Sequence, residues 1–279
     1  MSNNLLDTST WLPLDGLAPG FDANKATPVQ DLAGSKLTVQ LDSVPGGSLP
    51  GGGGKHDGGS FVFEFGGSTV AWNAAGRSGD DHYEAFAVAE GLYYAQWQSG
   101  ADPEFSVSLF LDLDFGRALF IGAVLGHAEP GQTAVRHEFL PGVIAGSEAT
   151  GKPIAETTAL LGRRVEWVYS DIHAYEHVYL SPQWYTWQCL AGPERGLADT
   201  DTNTTFQIRP GIYVFTWREK VIPCGSVTIA DHRDVTAIRS HGYLFGWDEA
   251  GTEPVHFTFG AHGRLISMTT HTPGLDPAR

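Results

Sequence analysis

The fold of this chain is decided by a stretch of sequence that occurs twice. Residues 81–98 read DHYEAFAVAEGLYYAQWQ, and residues 201–218 read DTNTTFQIRPGIYVFTWR. Laid over one another without a gap as far as residues 126 and 246, the two stretches share 11 identical positions in 46, including Asp81/Asp201, Tyr93/Tyr213 and Trp97/Trp217. Identical glycines, prolines and tryptophans in one frame indicate that a structural unit has been duplicated.

Outside the repeat, apolar and polar residues alternate with the period of two that β-strands produce, as over residues 36–41. Trp72 matches Trp187, and residues 61–65 match residues 176–180. A unit of short antiparallel strands removes its exposed edges by closing into a barrel. We therefore predict an all-β fold of two tandem antiparallel β-barrel units related by internal duplication.

The same patterns divide the chain into segments. The first barrel-like unit is predicted over residues 32–127 and the second over residues 159–270. An extended lead-in precedes them over residues 1–31. Residues 128–158 contain three prolines and are predicted to form a linker, and residues 271–279 are predicted to form a tail.

The charge balance limits the partners. The chain has 17 basic and 32 acidic residues, which gives a net charge of −15. A nucleic-acid binder needs a basic surface to replace the counterions of phosphates, and an anionic membrane repels an acidic chain, so neither partner is expected. No apolar run has the length of a signal or a membrane span, and two cysteines are too few for a disulfide framework. These features predict a cytoplasmic protein.

The most informative strand for function lies within residues 171–179. Its alternation places four polar aromatic side chains on one face, and the next strand adds two more: His173, Tyr175, His177 and Tyr179, then Tyr185 and Trp187. Such groups need hydrogen-bond partners when buried, so they favour a wet pocket over a dry core. The alternative is a stripe that faces solvent. The corresponding positions of the first half are plainer, which favours the second unit as the functional one: Val62, Glu64, Val70 and Trp72.

The end of the repeated stretch adds further candidates. Tyr213 and Trp217 are duplicated and are expected to hold the fold and line the pocket, whereas Arg218 replaces Gln98. Only one face of this strand can point inward. If the Arg218 face does so, its guanidinium could bind a carboxylate or phenolate; otherwise it belongs to a surface ion-pair cluster. Asp201 is expected to form a turn.

A metal site is not predicted. His173 and His177 have the spacing that chelates a metal from a helix, but their surroundings indicate a strand. With a rise of about 3.3 Å per residue, two such imidazoles lie roughly 13 Å apart and cannot share one ion.

Runs of sequence in both halves resemble the MoaF family. They are residues 174–180, 185–201 and 217–220 in the second half, and residues 11–22 in the first. The resemblance covers nearly the whole chain, with a glycine-rich insert at residues 46–59 that we expect to be a flexible loop. It implies a calycin- or lipocalin-like fold with an N-terminal and a C-terminal domain. The family's name, molybdenum cofactor biosynthesis protein F, implies an accessory role in handling that cofactor.

Two main hypotheses for the function follow. The first is a cofactor-independent lyase or isomerase acting on a small aromatic or unsaturated carbonyl or carboxylate compound. His177 would transfer protons near neutral pH, Tyr179 and Tyr185 would donate to a developing oxyanion, and Arg218 would hold an anion. The second is a non-catalytic carrier or sensor of a small molecule. Neither needs a cofactor, and both allow a homodimer.

Overall fold

The computed structural model describes residues 8–41, 59–74, 76–128 and 132–278. Strands dominate them, with one short α-helix, α1 (Leu14–Leu17), and a 3₁₀ helix at Pro273–Leu275. The loop predicted at residues 46–59 lies outside the described residues except for Gly59. Within those ranges, no helix has the length and apolar character needed to cross a bilayer.

The first half forms one antiparallel sheet. Its nine strands are β1 (Lys36–Leu41), β2 (Ser60–Phe65), β3 (Thr69–Ala74), β4 (Arg77–His82), β5 (Glu84–Ala89), β6 (Leu92–Gln98), β7 (Phe105–Asp112), β8 (Arg117–Leu125) and β9 (Val135–Ile144). Their spatial order is β4-β3-β2-β1-β9-β8-β7-β6-β5. Because β1 pairs with β9, the sheet curls into a barrel that stays open only between its edge strands, β4 and β5.

The second half forms a closed barrel. Its strands are β10 (Ala155–Glu156), β11 (Arg163–Val168), β12 (Ala174–Tyr179), β13 (Trp184–Ala191), β14 (Ala198–Arg209), β15 (Ile212–Arg218), β16 (Cys224–Asp231), β17 (Ile238–Trp247) and β18 (Pro254–Met268). Strands β11 to β18 follow one another round the barrel, which closes because β11 pairs with β18 and β14 pairs with β15. Strand β10 pairs with residues 206 and 207 of β14, beyond the residues of β14 that pair with β13.

The two barrels correspond strand by strand. β1 to β3 match β11 to β13, β6 to β9 match β15 to β18, and the long β14 takes the place of β4 and β5 together. The predicted all-β fold of two duplicated antiparallel barrels is confirmed.

Strand pairing corrects the register of the sequence overlay. Phe63 pairs with Trp72 in the first barrel, and His177 pairs with Trp187 in the second, so His177 corresponds to Phe63 and not to Val62. Turns of unequal length between the copies shift the frame, and a shift of one residue moves every side chain to the opposite face. The first-barrel positions that correspond to His177, Tyr179 and Tyr185 are therefore Phe63, Phe65 and Val70.

The segment predicted to be a linker contributes a strand. Residues 135–144 form β9, which pairs with β8 and with β1 inside the first barrel. Pro141 suggested a linker in the sequence, but it lies inside this strand opposite Leu119. Residues 155 and 156 form β10.

The interior of the first barrel is filled with rings. Phe63, Trp97 and Phe120 are at most 1% exposed, and the ring of Phe63 lies 6.0 Å from that of Trp97 and 6.4 Å from that of Phe120. A separate apolar core joins the outer faces of the two barrels, where Ser106 Oγ donates to Tyr243 Oη at 3.0 Å.

Candidate functional site

The interior of the second barrel contains a cavity of about 40 Å³. Aromatic and acidic side chains of several strands and of the lead-in line it, including Trp11, Tyr175, His177, Tyr185, Trp187, Glu194, Trp217 and Glu219. Five of these were predicted from the sequence to line a pocket. Because the β12 side chains alternate between the two faces, Tyr175, His177 and Tyr179 all point inward.

His177 stands at the centre of this interior. Its ring centroid lies 5.2 Å from that of Tyr185, 5.7 Å from that of Trp217 and 6.2 Å from that of Trp167. Its buried Nδ1 has no hydrogen-bond partner. Burial lowers the pKa of His177 from 6.5 to about 3. The imidazole is therefore neutral at physiological pH, whereas the sequence interpretation assumed titration near neutrality.

The predicted phenols are present on the same wall. Tyr179 and Tyr185 pair across β12 and β13 and are at most 3% exposed. Burial raises the pKa of both, and the nearby Glu219 and Asp201 raise that of Tyr185 further. Both side chains stay protonated and can donate hydrogen bonds.

Three carboxyl groups that were not selected from the sequence accompany these rings. Glu194 accepts from Tyr175 Oη at 2.8 Å and from the backbone N–H of Leu12 at 3.1 Å. Asp201, predicted to form a turn, lies instead inside β14, where it accepts from Trp187 Nε1 at 2.9 Å. Its duplication together with its tryptophan partner was the signal that could have revealed this buried pair.

Glu219 is the third of these carboxyl groups. It accepts from Trp217 Nε1 at 3.1 Å. Burial and the neighbouring Asp201 raise the pKa of Glu219 well above its usual value. The raised pKa favours the protonated carboxylic acid form of Glu219. Over the described ranges, no group of three or more His, Cys, Asp or Glu side chains is arranged to hold a metal ion.

Arg218 lies outside the barrel. Since Trp217 points inward, its neighbour on β15 points outward. The guanidinium of Arg218 contacts Thr202 Oγ1 at 3.2 Å and Nδ1 of His137, a residue of β9, at 3.4 Å. The structure therefore places Arg218 between the barrels, and its predicted role of holding an anion inside the pocket is corrected.

The other predicted residues lie at the two ends of the barrel. His173 precedes β12 and its Nε2 lies 3.1 Å from the carbonyl oxygen of Pro19, so it anchors the lead-in and does not line the cavity. Tyr213 lies at the opposite end, where it lines a second chamber of about 10 Å³ with Tyr179 and His232. His177 lines both chambers.

The lead-in covers one mouth of the barrel. Trp11, Leu17 and Phe21 all line the 40 Å³ cavity. The Trp11 ring lies 5.4 Å from that of Trp187, edge to face, and the Phe21 ring lies 4.4 Å from that of Tyr169. Residues predicted to be merely extended thus form a cover over the second barrel.

A wider cleft of about 920 Å³ lies between the two barrels beside the lead-in. Its central groups satisfy one another, because Lys25 pairs with Glu84 at 2.9 Å and Thr258 donates to Glu84 at 2.7 Å. Other lining residues of the cleft, Gln96, Trp97 and His256, have a buried polar atom without a hydrogen-bond partner, as His177 has in the barrel interior.

A solved structure described as "a putative beta-lactamase from Burkholderia vietnamiensis" is similar to part of this chain. It is 15% identical with a TM-score of 0.31, over 42% of this chain and 100% of its own. A likeness at that score carries no argument about fold or activity.

Sequence families match both barrels. The MoaF N-terminal domain family matches residues 9–49 and 53–127, and the MoaF C-terminal domain family matches residues 154–269. A curated relative, Protein MoaF from Klebsiella aerogenes, is 35% identical over 153 residues, which are 52% of this chain and 56% of that protein. The chain thus spans about half the length of this relative. On the two domain matches, the chain belongs to the MoaF family.

Proposed function

We propose that the second barrel binds a small aromatic or unsaturated carbonyl or carboxylate compound and moves a proton on it without a cofactor, as a lyase or isomerase does. The observation that carries the proposal is a set of substitutions between the duplicated barrels. His177, Tyr179 and Tyr185 occupy the sheet positions that Phe63, Phe65 and Val70 occupy in the first barrel.

These substitutions are costly unless they serve a ligand. The first barrel holds the same fold together with Phe63, Phe65 and Val70 at these positions. A buried polar group without a partner destabilises a protein by about 1–3 kcal/mol, and Nδ1 of His177 is such a group. A ligand that accepts from or donates to this imidazole would satisfy it.

The protonation states suit proton transfer in a shielded space. The raised pKa of Glu219 favours a protonated carboxyl group that would give a proton to one atom of the ligand, and neutral His177 would take a proton from another. Tyr185 adds a second donor. The ligand would stack among the rings of Trp187 and Trp217.

Binding requires the cover to move. The closed cavity of about 40 Å³ is far smaller than the roughly 300 Å³ of the smallest usual ligand pockets. Displacement of Trp11, Leu17 and Phe21 would join the cavity to the mouth of the barrel. The lead-in would then exclude water once the ligand is bound.

Titration of tryptophan fluorescence with benzaldehyde, benzoate and cinnamate, followed by product analysis without added cofactor, tests the proposal. We expect saturable quenching that His177→Phe abolishes. His241→Phe is the matched control, because His241 is equally buried with an unpartnered Nδ1 but lies between the barrels. Glu219→Gln should bind and give no product. Equal binding by His177→Phe and wild type would contradict the proposal.

The second candidate function is a carrier or sensor of the same class of compound. The small closed cavity favours it, since tight enclosure also serves storage. Saturable quenching with the compound recovered unchanged, in wild type and in Glu219→Gln alike, would select this function over catalysis.

A further inference from the structure

The end of the second barrel remote from the lead-in carries an arginine that the first barrel lacks. The backbone N–H of Gly34 donates to Phe65 O at 2.7 Å, and that of Gly162 donates to Tyr179 O at 2.9 Å. The next residues, Ser35 and Arg163, therefore occupy equivalent positions. Ser35 turns its hydroxyl back to the main chain, whereas Arg163 extends into the barrel end.

Arg163 lies beside a histidine and a tyrosine. Its Nη1 lies 3.3 Å from Nδ1 of His232, and its guanidinium carbon lies 5.7 Å from the ring centre of Tyr213. Its buried Nε has no partner. Across the described ranges no carboxylate lies within ion-pair distance of it, while the adjacent Arg164 pairs with Glu176 at 2.7 Å.

Other donors converge on the same end. The buried indole N–H of Trp167 makes no hydrogen bond of regular geometry, and its ring lies 5.9 Å from that of His232. Trp167, Tyr179 and His232 line the 10 Å³ chamber, which His177 also borders. Arg163 does not line the chamber itself and lies behind His232, which it contacts. Burial and the charge of Arg163 lower the pKa of His232 to about 3, so it is neutral and accepts from the guanidinium.

The barrel interior is therefore polarised along its length. Glu194, Asp201 and Glu219 lie toward the lead-in, and the uncompensated Arg163 lies at the far end. A guanidinium fork attracts an anion, and no lysine or arginine is among the described side chains that line the cavity at the lead-in end. A ligand that carries one carboxylate therefore places it at the Arg163 end.

We propose that Arg163, Trp167, Tyr179 and His232 form an anion subsite that holds the carboxylate of the compound bound in the second barrel. This rests on the proposed function and narrows its ligand class to small aromatic carboxylates. The carboxylate lies at Arg163, the ring lies beside His177, and the opposite end faces Glu219.

The test compares benzoate with its neutral isostere benzamide by titration of tryptophan fluorescence. We expect wild type to bind benzoate at least about tenfold more tightly than benzamide. Arg163→Gln should weaken benzoate binding about 30-fold, as loss of a charged hydrogen bond does, and leave benzamide binding unchanged. Arg163→Lys keeps the charge without the fork and should fall between. Arg164→Gln, next along the strand but facing outward, should match wild type within twofold.

The results separate the two proposals. Equal affinity for benzoate and benzamide, with Arg163→Gln unchanged and His177→Phe blocking both, would overturn the subsite and leave the barrel as the binding site. Binding of neither probe to wild type would count against both proposals. Circular dichroism melts check folding, and if Arg163→Gln fails to fold, the loss in Arg163→Lys decides the matter.

Discussion

Trp187 donates its indole N–H to Oδ2 of Asp201 at 2.9 Å, and Trp72 donates to Asp81 in the same way at 2.7 Å. The second oxygen of each aspartate accepts a backbone N–H from the strand end that follows, that of Lys220 at 3.2 Å and that of Gly100 at 2.8 Å. Because this contact occurs in both copies, and only the second copy has His177 at its centre, it belongs to the fold and not to the site.

Removing this contact should destabilise either barrel. Asp201→Ala leaves the buried indole of Trp187 unpaired, and we expect a loss of about 2 kcal/mol in the free energy of unfolding, measured in urea. Asp81→Ala should cost a similar amount. Asp199→Ala is the control, because it removes an ion pair with the exposed Lys220 and a hydrogen bond from the backbone N–H of Thr200 but leaves the Trp187 indole paired, and it should cost less than Asp201→Ala. Equal losses in all three variants would refute this assignment.

Replacing His177 by the residue of the first barrel should stabilise the protein. His177→Phe removes an unpartnered buried nitrogen beside a cavity of about 40 Å³ that can accept the larger ring. We expect the free energy of unfolding at pH 7 to rise by roughly 1 kcal/mol. The reverse change in the first barrel, Phe63→His, should lower it. A loss on His177→Phe would mean that the imidazole already has its partners.

The gain from His177→Phe should grow in acid. The folded-state pKa of His177 is about 3, below its ordinary value of 6.5. The unfolded chain therefore binds the proton first, and wild type loses stability as the pH falls from about 6.5 toward 3. The variant lacks this loss, so the difference between the two in urea unfolding should be larger at pH 4.5 than at pH 7.5. A pH-independent difference would contradict the buried neutral imidazole.

Glu138 should make the stability of the protein change with pH in the direction opposite to His177. Both of its buried carboxylate oxygens lack partners, and burial raises its pKa from 4.5 to about 7. The folded state keeps the proton longer than the unfolded chain, so its contribution is present below pH 4.5 and is lost as the pH rises through 7. Glu138→Gln should therefore stabilise the protein more at pH 8 than at pH 4.5. The exposed Glu104→Gln should show no such trend.

Removing one ring from the cover should make the mouth of the second barrel more accessible. Phe21→Ala removes a ring that contacts Tyr169, His173 and Phe259, and should cost about 3 kcal/mol of stability. Association of benzoate, followed by stopped-flow fluorescence, should become faster because the mouth is less obstructed. An unchanged association rate would mean that ligands enter from the Arg163 end.

The duplicated barrels were predictable because residues at the same spacing recur in both halves of the sequence. Trp97 and Trp217, with the glycines of the turns after β5 and β14, fix one frame over the middle of each unit. Beyond those strands the alignment shifts by one residue. Trp97 pairs with Val107, whereas Trp217 pairs with Ser226, so Val107 corresponds to Ser226. A gapless overlay aligned Val107 with Val227 and could not detect the change.

The site was predictable only in part. Period two placed Tyr175, His177 and Tyr179 on one face, but it could not say whether Arg218 or Trp217 pointed inward. The burial that lowers the pKa of His177, and the carboxyl group of Glu219 beside Trp217, depend on how distant strands close the barrel. Sequence spacing holds no information on that closure.

The central claim is that the second barrel encloses a ligand and the first does not. A crystal structure of the protein grown with saturating benzoate tests it most directly. We expect one benzoate inside the second barrel, its carboxylate on Arg163 and its ring beside His177, with Trp11 and Phe21 displaced. Benzoate in the first barrel, in the cleft between the barrels, or absent from a barrel whose interior is unchanged would contradict it.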